Sequence, residues 1–135
     1  YKSYNISLAF LPGIFSIFYG DEIGIQGIGN LKNRASYQWN YKDKDLLKFF
    51  RRLGKIRKQE QFLRKADIKI LKIDEEQFVY ERYDKNHKML VATSRTHRIS
   101  SLNLPEEYKD AEVVLKIKRS TKQQLSPFGA IAIKK

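Results

Sequence analysis

Asp21 and Glu22 stand side by side, directly after the apolar run Ile14-Phe15-Ser16-Ile17-Phe18-Tyr19 and between Gly20 and Gly24. A carboxylate pair can divide acid and base work, but only if both groups face one reacting bond. Adjacent residues of an extended chain point to opposite sides, so these two cannot flank a single bond. The expectation is that they brace the exit of the run through hydrogen bonds. Metal chemistry has less to work with. The chain has no cysteine, and its two histidines, His87 and His97, lie far apart in polar, turn-like contexts. A protein-only zinc site is therefore not expected, no cofactor is called for, and neither histidine is given a role. The remaining candidates, Asn30, Arg34, Tyr37 and Trp39, fall in the polar loop that follows.

The elements that must position these groups follow from periodicity. Tyr4 to Leu11 reads as the last turns of a helix, stopped by Pro12 and Gly13. The run 14–19 is apolar on both faces apart from Ser16, the pattern of a strand covered on both sides in a parallel sheet. Gly20, Gly24, Gly27 and Gly29 mark an irregular loop to about Tyr41. Asp43 is placed to cap a helix in which Leu46, Leu47, Phe49, Phe50, Leu53 and Ile56 recur at helical spacing. After residue 61 the pattern alternates. Ile68-Lys69-Ile70, Phe78 to Tyr83, Met89 to Thr93, Val113 to Ile117 and Phe128 to Ile133 read as strands, with a hairpin turn at Asp84-Lys85-Asn86-His87. Phe49, Phe50, Phe78, Tyr80 and Phe128 are assigned to the core. Several short strands without helices predict an antiparallel module of two packed sheets.

Composition bounds the rest. The 135 residues, 41% of them hydrophobic, suffice for an ordinary core. Pro12, Gly13 and Gly20-Asp21-Glu22 interrupt the one apolar stretch that approaches membrane-span length, so no membrane partner is expected. The net charge of +12 is densest from Lys48 to Lys72. Without a nucleic-acid fold signature this reads as a solvated helix face, and no nucleic-acid partner is expected. The absence of cysteine leaves the compartment undecided, with the cytoplasm slightly favoured over secretion. A lone parallel strand has no partner within this sequence, which argues for a missing N-terminal body and for a truncated start at Tyr1.

The segments Leu11 to Gly24 (LPGIFSIFYGDEIG), Asn33-Arg34 with Tyr37-Gln38-Trp39, Leu46 to Gln59 (LLKFFRRLGKIRKQ), Gln61 to Arg64, Phe78 to Arg82, Leu90-Val91-Ala92 and Leu125 to Gly129 occur in a set order. In that order they resemble segments of the α-amylase family of glycoside hydrolases, nearest to the neopullulanase and cyclomaltodextrinase subgroup. The resemblance implies a chain that is α+β as present. Residues 1–60 would be the C-terminal end of a (β/α)₈ barrel, and residues 61–135 an antiparallel β-sandwich, domain C. A whole barrel needs about 250 residues.

It also implies hydrolysis of α-glucosidic bonds in starch, maltodextrin or related oligosaccharides, with retention, by carboxyl groups about 5–5.5 Å apart. In the family these lie on earlier barrel strands, so no catalytic residue is expected here and the chain alone should be inactive. In the subgroup an aspartate and an arginine of this loop contact sugar hydroxyls. Arg34 matches the arginine, whereas Asn30 stands at the aspartate position, able to hydrogen-bond but lacking the charge. Trp39 and Tyr37 could stack on a sugar ring or pack between loop and barrel. Arg34, Asn30 and Trp39 are thus the substrate-binding candidates. The expected partners are an α-glucan or maltodextrin, the missing barrel and, through its exposed apolar surface, a second copy of the chain. The alternative is a non-catalytic β-domain module that binds carbohydrate or an acidic partner.

Overall fold

The structure, a computed structural model, describes residues 1–26, 36–37, 39–40 and 43–135. Among the described residues two α-helices, α1 (Lys2–Ala9) and α2 (Lys44–Gln59), precede seven strands: β1 (Asp67–Ile73), β2 (Gln77–Tyr83), β3 (Lys88–Ser94), β4 (Ser100–Ser101), β5 (Glu112–Ile117), β6 (Gln124–Leu125) and β7 (Ala130–Lys134). Helix α2 starts where a cap is offered. Asp43 Oδ1 accepts from the backbone N–H groups of Asp45 (3.0 Å) and Leu46 (2.8 Å). The helix buries Leu46, Phe49, Phe50, Leu53 and Ile56 on one face. At about 2 kcal/mol for each large side chain, that burial outweighs the roughly 1 kcal/mol that Gly54 costs mid-helix.

The principal sheet is antiparallel and has the order β1-β2-β3-β7-β5. Asp84 closes the β2–β3 hairpin: its Oδ1 accepts from the N–H groups of Asn86 and His87, both at 2.8 Å. Alternation then sorts the side chains. Tyr80, Met89, Val91, Leu115, Ala130 and Ala132 face α1 and α2, in one core with Ile6, Phe10, Phe50 and Leu53. Val79, Leu90, Ala92, Ile131 and Ile133 face the other way, onto Leu102, Tyr108 and Leu125. Both edge strands carry a register shift, between Ile70 and Lys72 in β1 and between Val113 and Leu115 in β5. Such bulges, with the lysines of β1 and β5, discourage further strands from pairing there.

The α+β composition agrees with expectation, and so do the end of α1, the cap at Asp43 and the hairpin. The module has two sheets: the second is only a two-stranded ribbon, β4-β6, flanked by loops, and it shares a core with the main sheet through Leu125. The run 14–18 is not paired into a sheet here: Ile14 is 97% exposed and Phe18 53%. The physical reason is pairing. A strand needs a neighbour for its backbone groups, and every paired strand among the described residues lies between 67 and 134. Phe128, assigned to the core, is instead half exposed at a positive φ of 47°.

Candidate functional site

The candidate loop leaves the end of α1. Helix α1 gives way at Phe10, and Gly13 turns the chain at φ 104°. Residues 14–19 then run along the outside to Gly20, whose φ of 91° admits a short 3₁₀ turn at Asp21–Ile23. That turn is well tied. Glu22 Oε2 accepts from the N–H of Gly20 (2.9 Å), the N–H of Ile25 bonds the Gly20 carbonyl (3.0 Å), and Ile23 is fully buried. The N–H of Asp43 reaches the Ile23 carbonyl at 3.3 Å, so the turn abuts the start of α2.

The two carboxylates sit in a 3₁₀ turn rather than an extended chain, and each has its own neighbours. Asp21 lies near the phenol of Tyr1, and Glu22 near that of Tyr37. Desolvation, with the nearby carboxylate adding to it, raises both phenols above the ordinary tyrosine range. Glu22 thus braces the turn through the Gly20 N–H, and both carboxylates have neighbours in their own chain.

Trp39 lies 73% exposed, its ring centroid 4.7 Å from that of Tyr37 at an interplanar angle of 59°. The pair offers apolar ring surface at the molecule's edge, close to the Glu22 carboxylate. Asn30 and Arg34 lie outside the described residues. His87 stacks on Phe62 at 5.2 Å with Nδ1 3.1 Å from Asp84 Oδ1, so it belongs to the hairpin turn. Among the described residues no group of three or more His, Cys, Asp or Glu is placed to hold a metal ion, and no helix is long and apolar enough to cross a membrane.

Two arginines escaped the sequence reading. Arg82 is buried to 1% exposure, with every guanidinium nitrogen on a backbone carbonyl. Arg57, expected on the solvated face of α2, turns back onto the carbonyls of Ala9, Leu11 and Gly13. The available signal was position. Arg82 follows Phe78 and Tyr80 at the strand period of two, where a third core side chain is due. Glu81, on the opposite face, is likewise buried and accepts from the Tyr108 hydroxyl. The rest of the α2 stripe is as expected. Lys44, Lys48, Arg51, Lys55 and Lys58 are exposed and form no ion pair among the described residues.

No family model matches the chain. An amylopullulanase of Thermoanaerobacter thermohydrosulfuricus is 35% identical over 71 residues, covering 53% of this chain and 5% of that protein. A cyclomaltodextrinase of Geobacillus thermopakistaniensis is 30% identical over 93 residues, covering 66% of this chain and 16% of that protein. The chain thus spans a small fraction of these relatives' length. Among solved structures, an α-amylase from Anoxybacillus superposes with a TM-score of 0.82 at 22% identity, over 98% of this chain and 31% of that one. A maltogenic amylase from S. marinus does so with a TM-score of 0.80 at 21% identity, over 98% and 19%. These superpositions show that the chain shares its fold with part of those enzymes.

Proposed function

Because the chain belongs to the α-amylase family of glycoside hydrolases, as a C-terminal part of such an enzyme, we propose that it serves a hydrolase of α-glucosidic bonds in starch, maltodextrin or related oligosaccharides. It supplies one edge of the substrate loop and a stabilising β-domain, and it is inactive alone. In this reading residues 1–60 complete a (β/α)₈ barrel, with 14–19 as its last strand, and residues 61–135 are domain C. The observation that carries it is the apolar segment Ile14, Ile17, Phe18 and Tyr19, 41–97% exposed in a chain that matches only fractions of much longer relatives. So much apolar surface in one segment marks an interface. Arg34, Asn30 and Trp39 are the residues that touch sugar: Arg34 and Asn30 through hydroxyls, Trp39 by stacking.

Reducing-sugar assays on maltooligosaccharides test the proposal. The 135-residue chain should release nothing, while the gene product with its upstream sequence should be active and lose activity on Arg34→Ala. Turnover by the chain alone would overturn it. Light scattering adds a second arm, because the uncovered segment should drive the isolated chain to self-associate. The exposed cations of α2 favour a second reading, a β-domain that holds an acidic partner without catalysis. Heat on titration with a polyanion, combined with an inactive long gene product, would favour that reading instead.

A further inference from the structure

The stretch 9–13 joins α1 to the segment that departs toward the loop, and guanidinium groups hold four of its five carbonyls. Arg57, from α2, donates Nη1 to Ala9 O and to Leu11 O (3.5 Å), and Nη2 to Gly13 O (3.0 Å). Arg82, from β2, donates Nη1 to Phe10 O (2.6 Å). Its other nitrogens reach Asp67 O (3.1 Å), Leu63 O (2.9 Å) and Ala66 O (2.7 Å), which ties the end of α1 to the turn that opens the β-domain. Neither arginine has a carboxylate within 4 Å among the described residues. A buried or half-buried cation without an anion is costly unless its donors are satisfied, and here backbone carbonyls satisfy them. Two of these, Ala9 O and Phe10 O, lie at the C-terminal end of α1, where carbonyls lack partners within the helix and carry the negative end of its dipole.

From this we infer that Arg57 and Arg82 are positioning residues that fix the direction in which residues 14–26 leave the β-domain, by gripping the backbone of 9–13 from two sides. The functional weight of this grip rests on the reading that 14–26 leads to the substrate loop; the grip itself does not. The fork geometry is what matters. A guanidinium places parallel donors on carbonyls two residues apart, whereas an ammonium is a point charge and cannot span them. Arg57 is the sharper probe, because every carbonyl it contacts lies in 9–13, while Arg82 also joins three residues of the β-domain entrance.

Hydrogen exchange on the 135-residue chain tests this without any activity, so its failure is distinct from failure of the glucan reading. In Arg57→Met the amides of Leu11, Asp21, Ile23 and Ile25 should exchange about tenfold faster, while those of β2 and β3 keep wild-type protection. Arg57→Lys should behave like Arg57→Met despite keeping the charge. Arg82→Lys should loosen the same amides together with those of 63–67, and if it fails to fold the Arg57 pair still decides. Unchanged exchange at 11–25 in Arg57→Met would overturn the inference. So would wild-type behaviour in Arg57→Lys, or a uniform loss of protection across the sheet.

Discussion

The strands of the main sheet and the run 14–19 are both rich in apolar residues and meet opposite fates. In the sheet, Leu90, Val91, Ala132 and Ile133 are wholly buried because helices lie on one face and a ribbon with its loops on the other. In the segment, Ile14 and Phe18 are open to solvent, although their pattern is the more continuous one. Apolar pattern states a demand for cover. Whether the cover is present depends on what else the chain contains.

The largest effects should separate the two regions by packing. Leu90→Ala leaves a cavity between sheet and ribbon and should cost about 2–5 kcal/mol in urea unfolding. At concentrations low enough for the chain to be monomeric, Ile14→Ala removes a side chain that already touches water and should change stability by less than about 0.5 kcal/mol. A large loss at Ile14 would mean that the chain covers this segment in solution, and the contrast would collapse.

This contrast also explains what was legible in the sequence. Helix α2 was readable because its signals are local: a cap at Asp43 and apolar residues three and four apart. The β2–β3 hairpin was readable for the same reason, through Asp84 and alternating neighbours. The run 14–19 was legible as a segment fit for burial and as one without a strand partner in this sequence, but composition could not say what path it takes when uncovered. Strands β4 and β6, two residues each, are too short to show a period. Arg57 and Arg82 were missed because an arginine in an amphipathic pattern reads as solvent-facing, and only the three-dimensional path of residues 9–13 brings carbonyls to it. At the candidate site, Trp39 was legible only as a loop aromatic that could stack on a sugar or pack against a barrel, and its exposure and its contact with Tyr37 come from the structure.

Glycine substitutions sharpen the comparison at smaller scale. A Cβ at Gly129 would sit 2.2 Å from Ser120 Oγ, 2.4 Å from Ser126 Oγ and 2.7 Å from the Ser126 carbonyl oxygen. The serines can rotate, but the carbonyl belongs to the turn that accepts the Gly129 N–H at 2.7 Å. Gly129→Ala should therefore cost about 2–3 kcal/mol through overpacking. Gly13 has nothing within 4 Å of its would-be Cβ, so Gly13→Ala pays only for a φ of 104°, about 1 kcal/mol. Thermal unfolding ranks the two; a reversed order would place tight packing in the open region.

Acid should act on the closed region alone and by the smallest margin. Asp74 and Asp84 sit in the two hairpin turns of the sheet, and both carboxyls are held below the ordinary aspartate range. Backbone N–H donors are the leading cause: that of Gln77 for Asp74 and that of Asn86 for Asp84. A carboxylate whose folded pKa lies below its unfolded one adds stability above the unfolded value, and that stability is lost as pH falls through the folded one. The urea midpoint should thus hold at pH 5 and decline once the pH drops below about 4. The double variant Asp74→Asn, Asp84→Asn keeps an acceptor oxygen in each turn and removes the titration, so its acid decline should be shallower than that of the wild type. Residues 10–19 contain no carboxylate, and their exposure should not change over this range. If the double variant falls as steeply as the wild type, the turn carboxylates are not what acid attacks, and the link between these two turns and the acid stability of the sheet fails.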